Sequence, residues 1–148
     1  MSEEDVEFVR GLYPPEGIEM VALVEDVEGL KRTYGPILHP DFVVSVDPES
    51  LAMVGIEGAT ASGMDGFIRV WRDWSDAFET YRVTPKEFVG LPDGRVLVLV
   101  ENRAKSKTGG VEMAFEGAAI WTLEGGLVRR VEQFVSRERA LEAAGLSE

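Results

Sequence analysis

The sequence predicts an α+β fold in which amphipathic helices pack on the concave face of a strongly curved, mostly antiparallel sheet, giving a cone-shaped, barrel-like domain. An aromatic helical pattern that begins at Gly66 runs directly into a series of strand patterns that ends at Ser136. Turn-forming sequences separate these strands, which is typical of an antiparallel meander. The inward side of the meander narrows to Gly117 and Ala119, which indicates a sheet curled around a cavity. The length of 148 residues fits one domain spanning 1–148.

The first half of the chain predicts two helices, one strand and a loop. Apolar residues at helical spacing over 5–13, followed by two prolines, predict a short first helix. A second amphipathic helix is predicted over 27–38, where apolar residues recur at three- and four-residue steps. The β-branched segment 42–46, closed by an Asp-Pro pair, predicts the first strand. The segment 49–64 has little periodicity, and we expect a loop there, placed to act as a lid over the cavity.

The second half predicts a helix, a meander and a closing helix. Aromatic and branched residues on one face of the segment 67–78 predict the helix that packs on the sheet. A last short helix is expected over 136–144, with Ser136 as its N-terminal cap and Gly145 at its end. Strands are predicted between these helices over 81–89, 95–104, 111–123 and 127–135.

The positions of the turns predict how these strands pair. A loop centred on 107–108 places Asn102 opposite Met113, and the tight turn between the last two strands places Ala119 near Val131. Because neighbouring residues of a strand point to opposite faces, this pairing also assigns each residue to the cavity side or the outer side of the sheet.

The cavity side of the meander is predicted to meet the aromatic helix and to bind a small molecule. Small residues leave space on it, and Asn102 and Gln133 add uncharged hydrogen-bonding groups to an apolar surface, as is usual in ligand sites. The alternative is that the tryptophans are ordinary core, that Gly117 marks a bulge and that both amides are satisfied at the sheet edges. The candidate ligand-binding residues are Tyr13, Trp71, Trp74, Asn102, Phe115, Gly117, Ala119, Trp121, Val131 and Gln133.

The composition excludes several classes of function. The sequence has no cysteine and only one histidine, His39, which rules out disulfides, thiolate catalysis and the common Cys or His-pair metal sites. We therefore predict neither a metal nor a cofactor. Acidic residues outnumber basic ones by 27 to 15, and the formal charge of −12 repels nucleic acids and anionic membranes. An acidic start without a long apolar run leads us to expect a cytoplasmic protein.

Three segments resemble one known group of proteins. They are the aromatic helix start at 66–71, the strand pair at 121–129 and the tail at 140–146. With the helical start and the Asp-Pro pair that closes the first strand, they resemble the nuclear transport factor 2-like superfamily, in its SnoaL-like bacterial branch, over nearly the whole chain. The resemblance implies the cone-shaped fold and a group that includes small enzymes and catalytically silent binders.

The resemblance also implies one candidate catalytic residue. Ketosteroid isomerases of this superfamily carry a general-base Asp in an Asp-Pro pair that ends their first strand, and the stretch 37–48 lies on theirs without a gap, which places Asp47 at the base. Such a base must be partly desolvated beside a pocket to take a proton from carbon next to a carbonyl. The isomerases' oxyanion acid falls on Ala119, so that donor is missing, while Tyr13 approximates their tyrosine. An Asp-Pro pair is also an ordinary way to end a strand.

Relatives of this kind commonly pair sheet to sheet, and apolar residues interrupt the charges on the outer face of the predicted sheet. We therefore expect a two-fold homodimer through that face. The residues expected in this contact are Glu101, Arg103, Ala118, Ile120 and Phe134.

The favoured function is binding of a small, largely apolar metabolite between the helices and the curved sheet. One alternative is an isomerase-, cyclase- or hydrolase-type enzyme with Asp47 as its general base. The other is a non-catalytic homodimeric interaction module whose cavity is filled by its own side chains. A cavity between Trp71, Trp121 and Gln133 would favour the first hypothesis, whereas a solid core there would favour the last.

Overall fold

The computed structural model describes residues 2–47 and 60–146. Five α-helices are present in this part of the chain, together with a 3-10 turn at Gly35–Ile37. The helices are α1 (Ser2–Arg10), α2 (Met20–Glu25), α3 (Val27–Tyr34), α4 (Gly63–Ser75) and α5 (Arg137–Ala143). The strands are β1 (Ile18–Glu19), β2 (Leu38–Val46), β3 (Thr60–Ser62), β4 (Phe78–Gly90), β5 (Val96–Ser106), β6 (Glu112–Glu124) and β7 (Leu127–Phe134).

The described strands form one seven-stranded sheet in the order β1-β4-β5-β6-β7-β2-β3. Every neighbouring pair is antiparallel except β2 and β7, which run parallel. Shifts in register occur in β2, twice in β4 and near the end of β6, and such bulges bend a strand and increase its twist. The sheet is curved and unclosed, and the predicted α+β cone is confirmed.

Two hydrophobic cores lie on opposite faces of the sheet. The concave face packs against α2, α3 and α4 in the larger core, to which Val98 and Val131 contribute fully buried side chains. The outer face carries a smaller core in which α5 covers β5, β6 and β7 through Ala140 and Ala144. Strand β5 lies between the two cores, which explains why its run from Val96 to Val100 is apolar at every position.

The outer core corrects the expected dimer surface. Ala118, Ile120 and Phe134 are at most 9% exposed, because the chain's own helix α5 lies over them. The expectation that these three residues form an exposed apolar surface is therefore wrong. Glu101 and Arg103 do lie on the accessible part of the outer face, where they contact each other at 3.5 Å, and pairing of two chains through that part stays a prediction.

The sheet ends in very short strands on both sides. Strand β1 pairs with the long strand β4 only through Ile18 with Val83 and Glu19 with Arg82. Beside this pairing the Glu19 carboxylate accepts a hydrogen bond from the Tyr81 backbone N–H at 2.5 Å. On the other side β3, with three residues, covers β2.

The second helix and the loop predicted in the first half of the chain differ from the structure. The helix predicted over 27–38 ends at Tyr34, because Pro36 lacks the N–H that would continue it, and Leu38 begins β2 instead. The loop predicted over 49–64 is wrong at its end, since Thr60–Ser62 is a strand and Gly63 begins α4. Its remainder, 49–59, and with it the predicted lid, lies outside the described residues.

The predicted strand pairing is wrong by two residues on each side of β6. Asn102 lies opposite Phe115 and Ala119 lies opposite Gln133. The first hairpin turns one position later than predicted, and a bulge between Thr122 and Leu123 displaces the second pairing. A shift of two preserves the face to which each side chain points, so the face assignment survives the error.

Candidate functional site

Two small cavities lie between the concave face of the sheet and the helices. The first, of about 30 Å³, lies between α4 and the sheet, and the second, of about 40 Å³, lies beneath the N-terminal helices. The first is lined by Val46, Val70, Trp71, Trp74, Tyr81, Val83, Val100, Asn102, Ala118, Gln133, Phe134 and Val135. The second is lined by Leu12, Tyr13, Ile18, Met20, Leu23, Tyr34, Phe67, Trp71, Trp121 and Gln133.

Helix α4 places its tryptophans over these cavities. The helix comes close to the sheet at Gly66, where a Cβ atom would lie 2.8 Å from the Ala61 Cβ. This close approach brings the apolar face of the helix, with Trp71 and Trp74 three residues apart, against the concave surface. Trp74 is buried, whereas Trp71 is only partly buried.

The first cavity, which we call the outer cavity, is lined by polar side chains as well as apolar ones. Asn102 is 4% exposed. The Trp74 indole N–H is buried without a partner of normal geometry in the described part of the chain. Burial raises the pKa of Tyr81 well above its usual value, an effect that the nearby Trp74 only partly opposes. All three groups are therefore uncharged hydrogen-bonding groups at neutral pH.

The second cavity, which we call the inner cavity, contains Tyr13. Its hydroxyl oxygen accepts a hydrogen bond from the Trp121 indole N–H at 3.0 Å, and the two rings meet edge to face with centroids 6.0 Å apart. Burial raises the Tyr13 pKa far beyond its ordinary value; the Trp121 bond opposes this rise and Tyr34 adds to it. The hydroxyl therefore keeps its proton, which remains available for donation because Trp121 occupies only the oxygen.

We expect the free energy of unfolding to fall as the pH rises above about 10. Unfolded tyrosine ionises there, whereas Tyr13 and Tyr81 hold their protons to higher pH in the folded chain, so alkaline solution favours unfolding. Their contribution is fully present below that pH. Urea titrations from about pH 8 to about pH 11 measure the slope, which Tyr81→Phe should make shallower. An equal slope in the variant would mean that other groups cause the alkaline loss.

The remaining candidate residues are divided between core and cavity. Phe115 is partly buried and meets Tyr81 edge to face with ring centroids 6.2 Å apart, whereas Ala119 and Val131 are packed in the larger core. Sequence reasoning missed Tyr34 and Tyr81 as lining residues. Their positions on the inward faces of α3 and β4 were available signals, since each follows the apolar periodicity of its own element.

Gly117 is a point of close contact. A Cβ atom there would lie 2.6 Å from Asn102 Nδ2 and 2.7 Å from the backbone oxygen of Phe134. The space expected at this glycine from the sequence is therefore absent, and that expectation is wrong. Gly117 instead lines a small crevice on the other side of the sheet, beside Arg137.

Asp47 lies at the end of β2, and its carboxylate is held by helix α5. Its side chain is 7% exposed and accepts two hydrogen bonds from Arg139, from Nε at 2.7 Å and from Nη2 at 2.8 Å. The Asp47 backbone N–H donates to the oxygen of Gln133 at 2.9 Å. Asp47 is not among the residues that line either cavity, although its neighbour Val46 lines the outer one. Sequence reasoning missed Arg139, which donates to both oxygens of this carboxylate.

His39 makes local contacts with Asp41 and Glu124. His39 Nδ1 accepts a hydrogen bond from the Asp41 backbone N–H at 2.9 Å, and its Nε2 lies 3.2 Å from a Glu124 carboxylate oxygen.

Over residues 2–47 and 60–146 no group of three His, Asp or Glu side chains is placed to hold a metal ion. None of the helices in the same ranges is long and apolar enough to cross a membrane.

A curved, unclosed sheet around helices, with apolar cavities between them, defines the cone fold of nuclear transport factor 2-like proteins. The family model of the SnoaL-like domain matches residues 25–131 of this chain. The chain therefore belongs to the SnoaL-like domain family, and the resemblance stated from the sequence is confirmed.

Solved structures show the same fold at low sequence identity. The soil-derived mobile gene cassette protein Bal32a is 16% identical, with a TM-score of 0.64 and coverage of 89% of this chain and 88% of that one. TerC, co-crystallised with polyporic acid, is 23% identical, with a TM-score of 0.60 and coverages of 82% and 87%. An NTF2-like protein of unknown function from Burkholderia pseudomallei is 22% identical, with a TM-score of 0.60 and coverages of 80% and 84%. No curated protein sequence matches the chain.

Proposed function

We propose that this protein binds a small, uncharged, largely apolar molecule between α4 and the concave face of the sheet. The observation that carries the proposal is the Trp74 indole N–H, a donor that is buried without a partner of normal geometry in the described part of the chain, on a side chain that lines the outer cavity. A buried polar group without a partner costs about 1–3 kcal/mol. A ligand oxygen that accepts from this N–H, with the nearly fully buried Asn102 amide in the same lining, would recover that cost.

The lining of the cavities supports an uncharged ligand. All residues that line the outer and inner cavities, taken from the described part of the chain, are apolar or uncharged polar. A charged group placed there would lose its hydration without gaining an ion-pair partner, which is strongly unfavourable. The Trp74 indole N–H is a donor only, so it favours an oxygen that accepts hydrogen bonds. TerC, which shares the fold, was co-crystallised with an organic acid, and this supports small-molecule binding in general.

The two alternative functions make different demands on the same structure. An enzyme with Asp47 as general base requires the carboxylate to leave Arg139, which holds both of its oxygens. An interaction module with a filled cavity is supported by the small volumes of about 30 and 40 Å³, each sufficient for about two or three water molecules. The Trp74 indole N–H, buried without a partner of normal geometry in the described part of the chain, favours binding over the filled module, because a ligand oxygen would satisfy it.

A matched pair of probes tests the proposal. We expect 2-naphthol to bind and to shift the Asn102 side-chain amide signals in NMR titrations, whereas the 2-naphthoate anion binds at least about tenfold more weakly. Asn102→Leu should weaken 2-naphthol binding while leaving the free energy of unfolding unchanged or raising it by up to about 2 kcal/mol. Absence of binding by the wild type, together with a more stable Asn102→Leu, would contradict the proposal and support the filled module.

A further inference from the structure

We propose that the Trp71 indole is a movable partition and that ligand entry joins the outer and inner cavities into one chamber. This inference rests on the proposed binding function and concerns how the same site reaches the size of its ligand. Pockets that hold small organic ligands have volumes of roughly 300–1,000 Å³, far above the about 30 and 40 Å³ of the two cavities. The space for a ligand must therefore come from a side chain that moves.

The linings of the cavities identify that side chain. Among the described residues, only Trp71 and Gln133 are common to both linings. Gln133 lies on β7, which is fixed by pairing with β6 and β2. Trp71 lies on α4 and carries the largest side chain of any residue type, so its displacement opens the most space and connects the two cavities at the same time.

Trp71 is held less firmly than its neighbour on the same helix. It is only partly buried and packs against the larger core from its margin. Trp74, by contrast, is buried and meets Tyr81 edge to face with ring centroids 6.0 Å apart. Long side chains on helices have two favoured χ1 positions, near 180° and near −60°, so the Trp71 indole can swing without any change in the helix backbone.

The joined chamber has hydrogen-bonding groups at both ends and in the middle. Asn102 and the Trp74 N–H lie at the outer end, Gln133 at the partition, and the Tyr13 hydroxyl at the inner end. The apolar walls between them fit a flat hydrocarbon skeleton. The geometry therefore points to an uncharged, flat ligand with an oxygen at each end, longer than either cavity alone.

Binding of 2,6-dihydroxynaphthalene tests whether one ligand reaches both ends. Asn102→Leu alters the outer end of the chamber, and Tyr13→Phe alters the inner end. We expect each substitution to weaken binding of 2,6-dihydroxynaphthalene at least about threefold. The Trp71 indole N–H signal, assigned by its loss in Trp71→Leu, should shift on binding to the wild type. If Asn102→Leu weakens binding while Tyr13→Phe and the Trp71 signal show no effect, the partition is rigid, and the proposed binding function still stands.

A pair of tryptophan variants tests the partition itself. Trp71→Leu removes the partition, whereas Trp74→Leu enlarges only the outer cavity and serves as the matched control. Because opening no longer limits binding, we expect Trp71→Leu alone to bind 2,6-dihydroxynaphthalene about tenfold more tightly than the wild type. Thermal melts confirm that both variants are folded.

Two outcomes of this comparison would overturn the partition. Equal affinity gains in Trp71→Leu and Trp74→Leu would mean that added volume, and not connection of the cavities, controls binding. Binding by Trp71→Leu with none by the wild type would show that the indole does not move. Absence of binding by all three proteins would contradict both this inference and the proposed function.

Discussion

Gly117→Ala is expected to lower the free energy of unfolding by about 1–3 kcal/mol, and Gly117→Leu by more. The added Cβ would lie 2.7 Å from the backbone oxygen of Phe134 and 2.6 Å from Asn102 Nδ2. The amide can turn away, but the carbonyl belongs to the neighbouring strand β7 and moves only if the sheet itself shifts. The substitution therefore acts on the backbone of β6 and β7, and its cost appears in folding before it appears in binding.

Urea denaturation of Gly117→Ala measures this effect against a matched control. Gly11→Ala adds the same methyl group where the nearest heavy atom beyond the chain neighbours is 3.4 Å from the new Cβ, and Gly11 does not have a positive φ. We expect the control to stay within about 0.5 kcal/mol of the wild type. Equal stability of the two variants would show that β6 and β7 separate easily at this point.

Arg139→Met is expected to destabilise the fold by about 2 kcal/mol. Removing the guanidinium leaves the Asp47 carboxylate, 7% exposed, without its bidentate partner. Loss of a partner from a fully buried pair costs about 3–5 kcal/mol, but Arg139 is 41% exposed, and water reaches this pair and reduces the loss. The substitution also frees helix α5 at the end of β2, so the outer core becomes less well packed.

Arg137→Met provides the comparison for Arg139→Met. Arg137 lies on the same helix, but its ion pair with Glu116 is longer, at 3.7 Å, and both side chains are about half exposed or more. We expect this variant to change the free energy of unfolding by less than about 0.5 kcal/mol. A double-mutant cycle of Arg139→Met with Asp47→Asn then isolates the pair. Similar losses in the two arginine variants would contradict a special role for Asp47 and Arg139.

The face assignment of the meander could be predicted because it depends on local periodicity. Alternation along β5 and β6 placed Asn102 and Trp121 on the concave side, and a register error of two residues left that result intact. The register itself depends on where each turn is centred and on the bulge after Thr122, and neither is determined by periodicity. The end of α3 was predicted too late because apolar residues continue at helical spacing past Pro36, the residue that ends the helix.

The site was predicted less completely because its key contacts join distant parts of the chain. Asp47 and Arg139 meet only because α5 folds back over the outer face, and no local pattern contains that information. The close contact at Gly117 likewise depends on how tightly β7 approaches β6. A glycine on a concave face has the same appearance in a sequence whether it leaves a void or allows two strands to touch.

The central part of strand β4, over 81–85, offers little free backbone to another chain, although β4 is the outermost long strand on its side of the sheet. Its N–H groups at an unpaired edge would normally recruit a further strand and begin aggregation. Here Glu19 accepts the Tyr81 N–H, β1 pairs at Arg82 and Val83, and Pro85 has no N–H to offer. A further strand therefore finds few free N–H groups in this part of the edge, and extension of the sheet there is opposed.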